Sequence, residues 1–417
     1  MTNEIRIDDL AVPVLTDIQQ LGLDYGESKR TELSVDAVCA SAVARTGLDE
    51  FGPDDFRVRL GVQLAEMDAD EDRTGLGRLL FFGDCVRSAA NRLLIHDLLA
   101  RHPEIRDIEI ERPVIVVGLP RSGTTNLVNL LAADSRFRSM PLWESYEPVP
   151  NPNEPAEVDG VDPRWIRSQK AWDAMQAGAP LVAAMHPMEP DHVHEEIELM
   201  GPDFSSYNLE WVARAPTWRD HYLAHDQTPH YAYLKQVLQI LQWYRPRDRW
   251  VLKSPQHLEQ LGPLLVTFPD ATIVVTHRDP VAVVQSTATM VCYGARTSYR
   301  TTRPEWYRDY WTERIGRLLD ASIGDRHLLP ADRTVDVYFH EYMADELGTL
   351  QRVYDAAGIE LTDQARAEIE AYRAAHPRGK EGRVVYDLRR DFATTPEEVR
   401  SRFGAYLDRF PVRIEVR

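Results

Sequence analysis

The chain has 417 residues, 43% hydrophobic and 27% charged, with a net charge of −18. This balance excludes a disordered chain, and the acidic excess excludes nucleic acid as a partner and argues against a heavily sulfated or phosphorylated polymer as substrate, since both need a basic footprint. Cys39, Cys85 and Cys292 lie far apart in the sequence, so neither a disulfide framework nor a cysteine metal site is expected, which fits a reducing cytoplasm.

The opening MTNEIRIDDLAV is acidic and polar, where a signal peptide would be basic and then apolar. Apolar residues then recur at three and four positions in TDIQQLG, VDAVCASAVA and GLGRLLFFGDCVRSAANRLLIHDLLARH. Residues 1–112 therefore read as a helical N-terminal cap or dimerisation surface, with nothing catalytic in it. The pattern changes at Pro113. VIVVG is a continuous β-branched run closed by glycine, the mark of a strand buried on both faces. A turn and the amphipathic run TTNLVNLLAAD follow, giving strand, loop and helix. The proline- and acid-rich stretch 146–163 reads as a surface loop. Residues from about 150 to 247 read as a variable helical segment carrying Trp165, Trp172, Trp211, Trp218 and Trp243, with Trp250 just beyond. These indoles are expected to pack on the sheet, some lining an acceptor pocket. Further strands are expected at 249–253, 271–277 and 334–339, alternating with helices. The fold class is thus α/β over residues 113–417, with a mostly parallel central sheet and flanking helices. No apolar run is long enough to span a bilayer. The sequence reads as a soluble, cytoplasmic protein, open to homo-oligomerisation.

Gly118-Leu-Pro-Arg121-Ser122-Gly123-Thr124-Thr125 has the glycine spacing of a phosphate-binding Walker A loop, between a buried strand and a helix. Its backbone N–H groups and the positive end of the next helix suit a phosphate. Thr124 stands where an ATPase carries lysine, and the loop's cation is Arg121 instead. Further on, Arg278-Asp279-Pro280 follows the strand ATIVVTH, with Ser286 eight residues after the arginine. Asp279 suits a helix N-cap and Pro280 the first helical turn, so Arg278 should leave the strand end beside the phosphate loop.

Pro120-Arg121-Ser122-Gly123-Thr124-Thr125 resembles the 5′-phosphosulfate loop of the sulfotransferase superfamily, P-[KR]-S-G-T-T, at every position. The resemblance runs from about Pro113 to Phe410 and implies 3′-phosphoadenosine 5′-phosphosulfate as donor, with a hydroxyl of a small or lipid-like molecule as acceptor. It implies that Arg121, Ser122, Gly123, Thr124 and Thr125 hold the 5′ end, and that Arg278 and Ser286 grip the 3′-phosphate. The stretch His376–Tyr386, with Arg378, Gly379 and Lys380, resembles the late basic loop that closes over that phosphate. Lys253 matches the lysine that family members place near the sulfuryl group.

Sulfuryl transfer proceeds by positioning and charge stabilisation, much as phosphoryl transfer does, and no metal is expected. Arg121 should stabilise charge on the departing phosphate. The acceptor proton needs a base. Glu144 comes first, as it lies roughly where tyrosylprotein-type members carry a glutamate. His257 comes second, because Pro255 occupies the position where cytosolic members carry their histidine. His192 and His194, beside Glu195 and Glu196, are third. The rival readings are a small-metabolite kinase, against which Thr124 counts, and a non-catalytic nucleotide-binding protein.

Overall fold

The computed structural model describes residues 4–417. Its strands are β1 (Glu4–Ile5), β2 (Val114–Gly118), β3 (Phe137–Arg138), β4 (Arg249–Ser254), β5 (Thr272–His277), β6 (Thr334–Tyr338) and β7 (Arg383–Val384). Five of them form a sheet that is parallel throughout, in the order β3-β4-β2-β5-β6. β1 and β7 make a separate two-stranded parallel pair. The two-residue strands β1, β3 and β7 have too little pattern to be read from sequence, whereas the four longer ones fall where their β-branched runs predict.

The sheet is covered on both faces. Val114, Val116, Val251, Val274, Val335 and Val337 point into one apolar cluster, which includes Leu127, Leu130 and Leu350. Ile115, Val117, Leu252, Ile273 and Val275 point into the other, with Leu238, Val283 and Leu318. Successive residues of one strand thus enter opposite cores, which explains why VIVVG has no polar residue.

The N-terminal region is helical, with α1 (Asp17–Glu27), α2 (Val35–Thr46), α3 (Phe56–Ala69) and α4 (Gly75–Arg101). Thr16, Ser34 and Thr74 cap three of these by accepting from the backbone three residues on. Helices α2–α4 share a core with Phe204, Trp218 and Tyr222 from the middle of the chain. The segment 150–247 is less helical than expected. Helices cover Pro163–Gly178 and Thr228–Tyr244, but 186–208 is largely turns. Of the six tryptophans, Trp218 and Trp250 are fully buried and pack. Among the described residues, no helix is long and apolar enough to cross a membrane.

Candidate active site

β2 is central, and the chain passes from β4 on one side of it to β5 on the other. Open α/β sheets bind ligands at the carboxyl ends of strands around such a crossing. There the structure has a cavity of about 1200 Å³. Pro120, Arg121, Gly123, Thr124, Thr125, Arg278 and Phe339 line one end of it.

The phosphate loop leaves β2 and starts α5 (Thr124–Ala132). Gly118 is forced by crowding, since a Cβ there would sit 1.8 Å from Thr276 Oγ1. Gly123 takes φ 89° and Arg121 takes φ 61°. The left-handed backbone costs a non-glycine residue about 1–2 kcal/mol, so the loop holds Arg121 in a strained position. Ser122 is buried and serves the loop itself, donating to the Leu119 carbonyl at 2.5 Å and sharing a 2.7 Å hydrogen bond with Thr276 Oγ1. Thr124 and Thr125 open α5, where the first N–H groups have no intrahelical acceptor.

Other side chains converge on this loop. Arg121 Nε donates to Ser286 Oγ at 3.0 Å, and Nη1 donates to the Met185 carbonyl. Ser286 in turn donates to Tyr386 Oη at 2.9 Å. Arg278 stacks 4.0 Å over the Phe339 ring and donates from Nη1 to the Arg121 carbonyl at 2.5 Å. Its remaining edge makes a bidentate pair with Glu415, at 2.8 and 2.7 Å. Asp279 caps the following helix through the Val281 N–H, as its sequence position predicts. Lys253 lies on β4 beside Val116 of β2. It is buried, its ammonium paired with Glu195 and 3.4 Å from Thr125 Oγ1.

The late basic loop behaves differently from its sequence reading. Arg378 pairs with Glu346, and Gly379 and Lys380 are exposed; none of the three lines the cavity. Only Tyr386, at the end of that stretch, reaches the group through Ser286.

The first two candidate bases also lie elsewhere. Glu144 is buried against Arg138 at 2.8 Å and Arg245 at 3.0 Å and does not line the cavity. Two guanidiniums at once tie this carboxylate into the fold, so the first-choice base does not face the cavity. His257 is 1% exposed, hydrogen-bonded to Tyr231 at 2.8 Å and facing Glu196 at 3.4 Å, and it too is absent from the cavity wall.

The turn-rich segment 186–208 fills their place. His186, His194, Glu195 and Glu198 line the cavity next to the loop. His186, His192 and His194 have ring centroids 5.9–6.2 Å apart. Burial holds His186 well below its ordinary range and brings His192 down to about 3, helped by neighbouring positive charge. His194 Nε2 faces Glu198 at 3.8 Å, while its Nδ1 is buried without a partner. Burial pushes the Glu198 carboxyl up, but His194, Arg87 and Asn208 together outweigh it and hold it lowered. Among the described residues no set of three His, Cys, Asp or Glu side chains is arranged to hold a metal ion.

The cavity continues away from the loop between helices. Ile18 and Gly22 of α1, Leu76, Leu80 and Phe81 of α4, Met175 and Trp211 form an apolar wall, and Asp84, Arg87 and Arg167 add charge. The N-terminal region, silent in sequence, therefore supplies part of the site. Sequence reasoning also missed His186, Glu198 and Glu415; only the density of His and Glu around 186–198 signals the first two.

The sulfotransferase family model matches residues 113–363. Sulfotransferase STF9 from Mycobacterium avium is 27% identical, with a TM-score of 0.82 over 93% of this chain and 100% of that one. Sulfotransferase STF1 from Mycobacterium tuberculosis H37Rv is 28% identical, with a TM-score of 0.76 over 89% of this chain and 98% of that one. No curated protein matches the chain. The family match spans all five strands of the central sheet and every group converging on the phosphate loop except Tyr386 and Glu415, and on it the chain belongs to the sulfotransferase family.

Proposed function

We propose that this protein transfers a sulfuryl group from 3′-phosphoadenosine 5′-phosphosulfate to a hydroxyl on a small or lipid-like acceptor with an apolar body. The observation that carries the reading is the meeting of Arg121, Lys253 and Arg278, from three strand ends, with Ser286 of the following helix around one phosphate loop. The fit is chemical. Loop N–H groups and the start of α5 suit the 5′-phosphosulfate, and the separate Arg278–Ser286 pair suits a second phosphate.

In the transfer the acceptor oxygen bonds to sulfur, the sulfur–oxygen bond to the 5′-phosphate breaks, and adenosine 3′,5′-bisphosphate leaves. Arg121 and Lys253 stabilise charge on the departing oxygen. We assign the acceptor proton to His194, a residue of the cavity wall whose Nδ1 has no partner, with Glu198 facing the other ring nitrogen and stabilising the imidazolium that forms. The apolar wall of α1 and α4 supports an acceptor that buries hydrocarbon or an aromatic ring.

Incubation of the full chain with sulfur-labelled donor and a panel of apolar alcohols and phenols tests this, with product identified by mass. Label should appear on an acceptor hydroxyl. In calorimetry adenosine 3′,5′-bisphosphate should bind far better than ADP, and Arg278→Ala should remove most of that preference. Equal affinity for ADP and the bisphosphate would overturn the donor assignment. Tight bisphosphate binding without transfer to any acceptor would favour a nucleotide-binding protein.

A further inference from the structure

Arg278 lines the loop cavity, and its Nε/Nη2 edge is already occupied by an anion of the chain itself. Nε and Nη2 both donate to the Glu415 carboxylate, while Nη1 is held by the Arg121 carbonyl and the plane rests on Phe339. A phosphate that binds Arg278 bidentately needs the same two N–H groups. The segment carrying Glu415 is pinned independently of this pair. The N–H groups of Glu415 and Val416 both donate to Asp279 Oδ2, at 2.8 and 3.1 Å, and Asp279 is fully buried. Main chain and guanidinium are thus fixed to the same helix start, and only the Glu415 side chain, 27% exposed, is free to turn toward solvent.

We propose that Glu415 is a placeholder for the 3′-phosphate of the donor and product. It positions the Arg278 fork when no nucleotide is bound, yields to the more highly charged phosphate, and re-forms its pair as adenosine 3′,5′-bisphosphate departs. The proposal rests on the donor reading above. The physical consequence is selective: Glu415 opposes every nucleotide that carries a 3′-phosphate and leaves those without one unaffected.

The test uses the full chain and its Glu415→Gln and Glu415→Asp variants. Glutamine keeps the size and the main-chain contacts to Asp279 but removes the competing charge. Calorimetry and stopped-flow displacement would follow adenosine 3′,5′-bisphosphate and adenosine 5′-monophosphate. Glu415→Gln should bind the bisphosphate roughly fivefold tighter, the scale of a partly exposed ion pair, with the gain in a slower off-rate. Adenosine 5′-monophosphate should bind all three proteins equally, and Glu415→Asp should resemble the parent. A merely structural role would shift both nucleotides together. Unchanged or weaker bisphosphate binding in Glu415→Gln, with the parent still preferring the bisphosphate, would overturn the placeholder alone. A parent without that preference would overturn the donor reading and the placeholder with it.

Discussion

The Lys253 ammonium lies 3.4 Å from the Thr125 hydroxyl, joining the end of β4 to the first turn of α5. Its other partner is the Glu195 carboxylate on the cavity wall. In the proposed transfer this buried cation acts on the charge that grows at the phosphate loop. Lys253→Met should lower kcat by roughly 10²–10³-fold, the scale of losing one preorganised donor, while bisphosphate binding persists. Steady-state kinetics beside calorimetry separates the two, and normal turnover would remove Lys253 from the chemistry.

Arg121 bridges the loop and Ser286. Arg121→Ala should lower turnover by roughly 10²–10³-fold. Arg121→Lys should recover part of this, because the charge returns without the planar fork. Single-turnover measurements keep product release out of the comparison.

If His194 accepts the acceptor proton, His194→Gln should lose most turnover and keep the donor. The deficit should shrink with acidic phenols that are already ionised, since these carry no proton to remove. Rates across a series of phenols of falling pKa give the check, and a uniform loss along the series would move the base elsewhere.

Glu144 should matter to stability. Glu144→Ala leaves Arg138, 2% exposed, without its carboxylate, and breaking a buried pair this way costs about 3–5 kcal/mol. Urea unfolding should show that loss, with turnover per folded molecule near the parent value.

His192 gives a signed pH dependence. Burial holds it at about 3 in the folded protein, against about 6.5 in an unfolded chain. Between those values the unfolded chain binds a proton that the folded one does not, so stability falls as pH drops from about 6.5. Burial of His186 adds in the same direction. His192→Asn should narrow the gap between urea midpoints measured at pH 7.5 and at pH 5.

Legibility differed sharply along the chain. The positions of the loop at 118–125 and of Arg278 at its strand end were readable because strand, turn and N-cap chemistry fix them locally, within a few residues. Asp279 caps its helix as its spacing requires. The base was not readable, because no local rule decides where a carboxylate points. Glu144 turns to Arg138 and Arg245, which lie 6 and 101 residues away. The periodicity of α1 and α4 showed that they were helices but carried no sign of which face meets the cavity. Arg378 was read from the resemblance of its stretch to a basic loop, and Glu346 draws its charge away.

The wall built by α1 and α4 has an evolutionary consequence. In the proposed reading the nucleotide meets groups from 118–125, 253, 278 and 286, whereas the apolar wall draws on Ile18, Leu76, Leu80, Phe81, Met175 and Trp211. The two sets do not overlap, so a drift in side-chain size on α1 or α4 reshapes what enters the cavity without touching the phosphate loop. Relatives that share the loop can therefore diverge in acceptor through their first hundred residues, and exchanging that stretch between two of them should carry acceptor preference along with it.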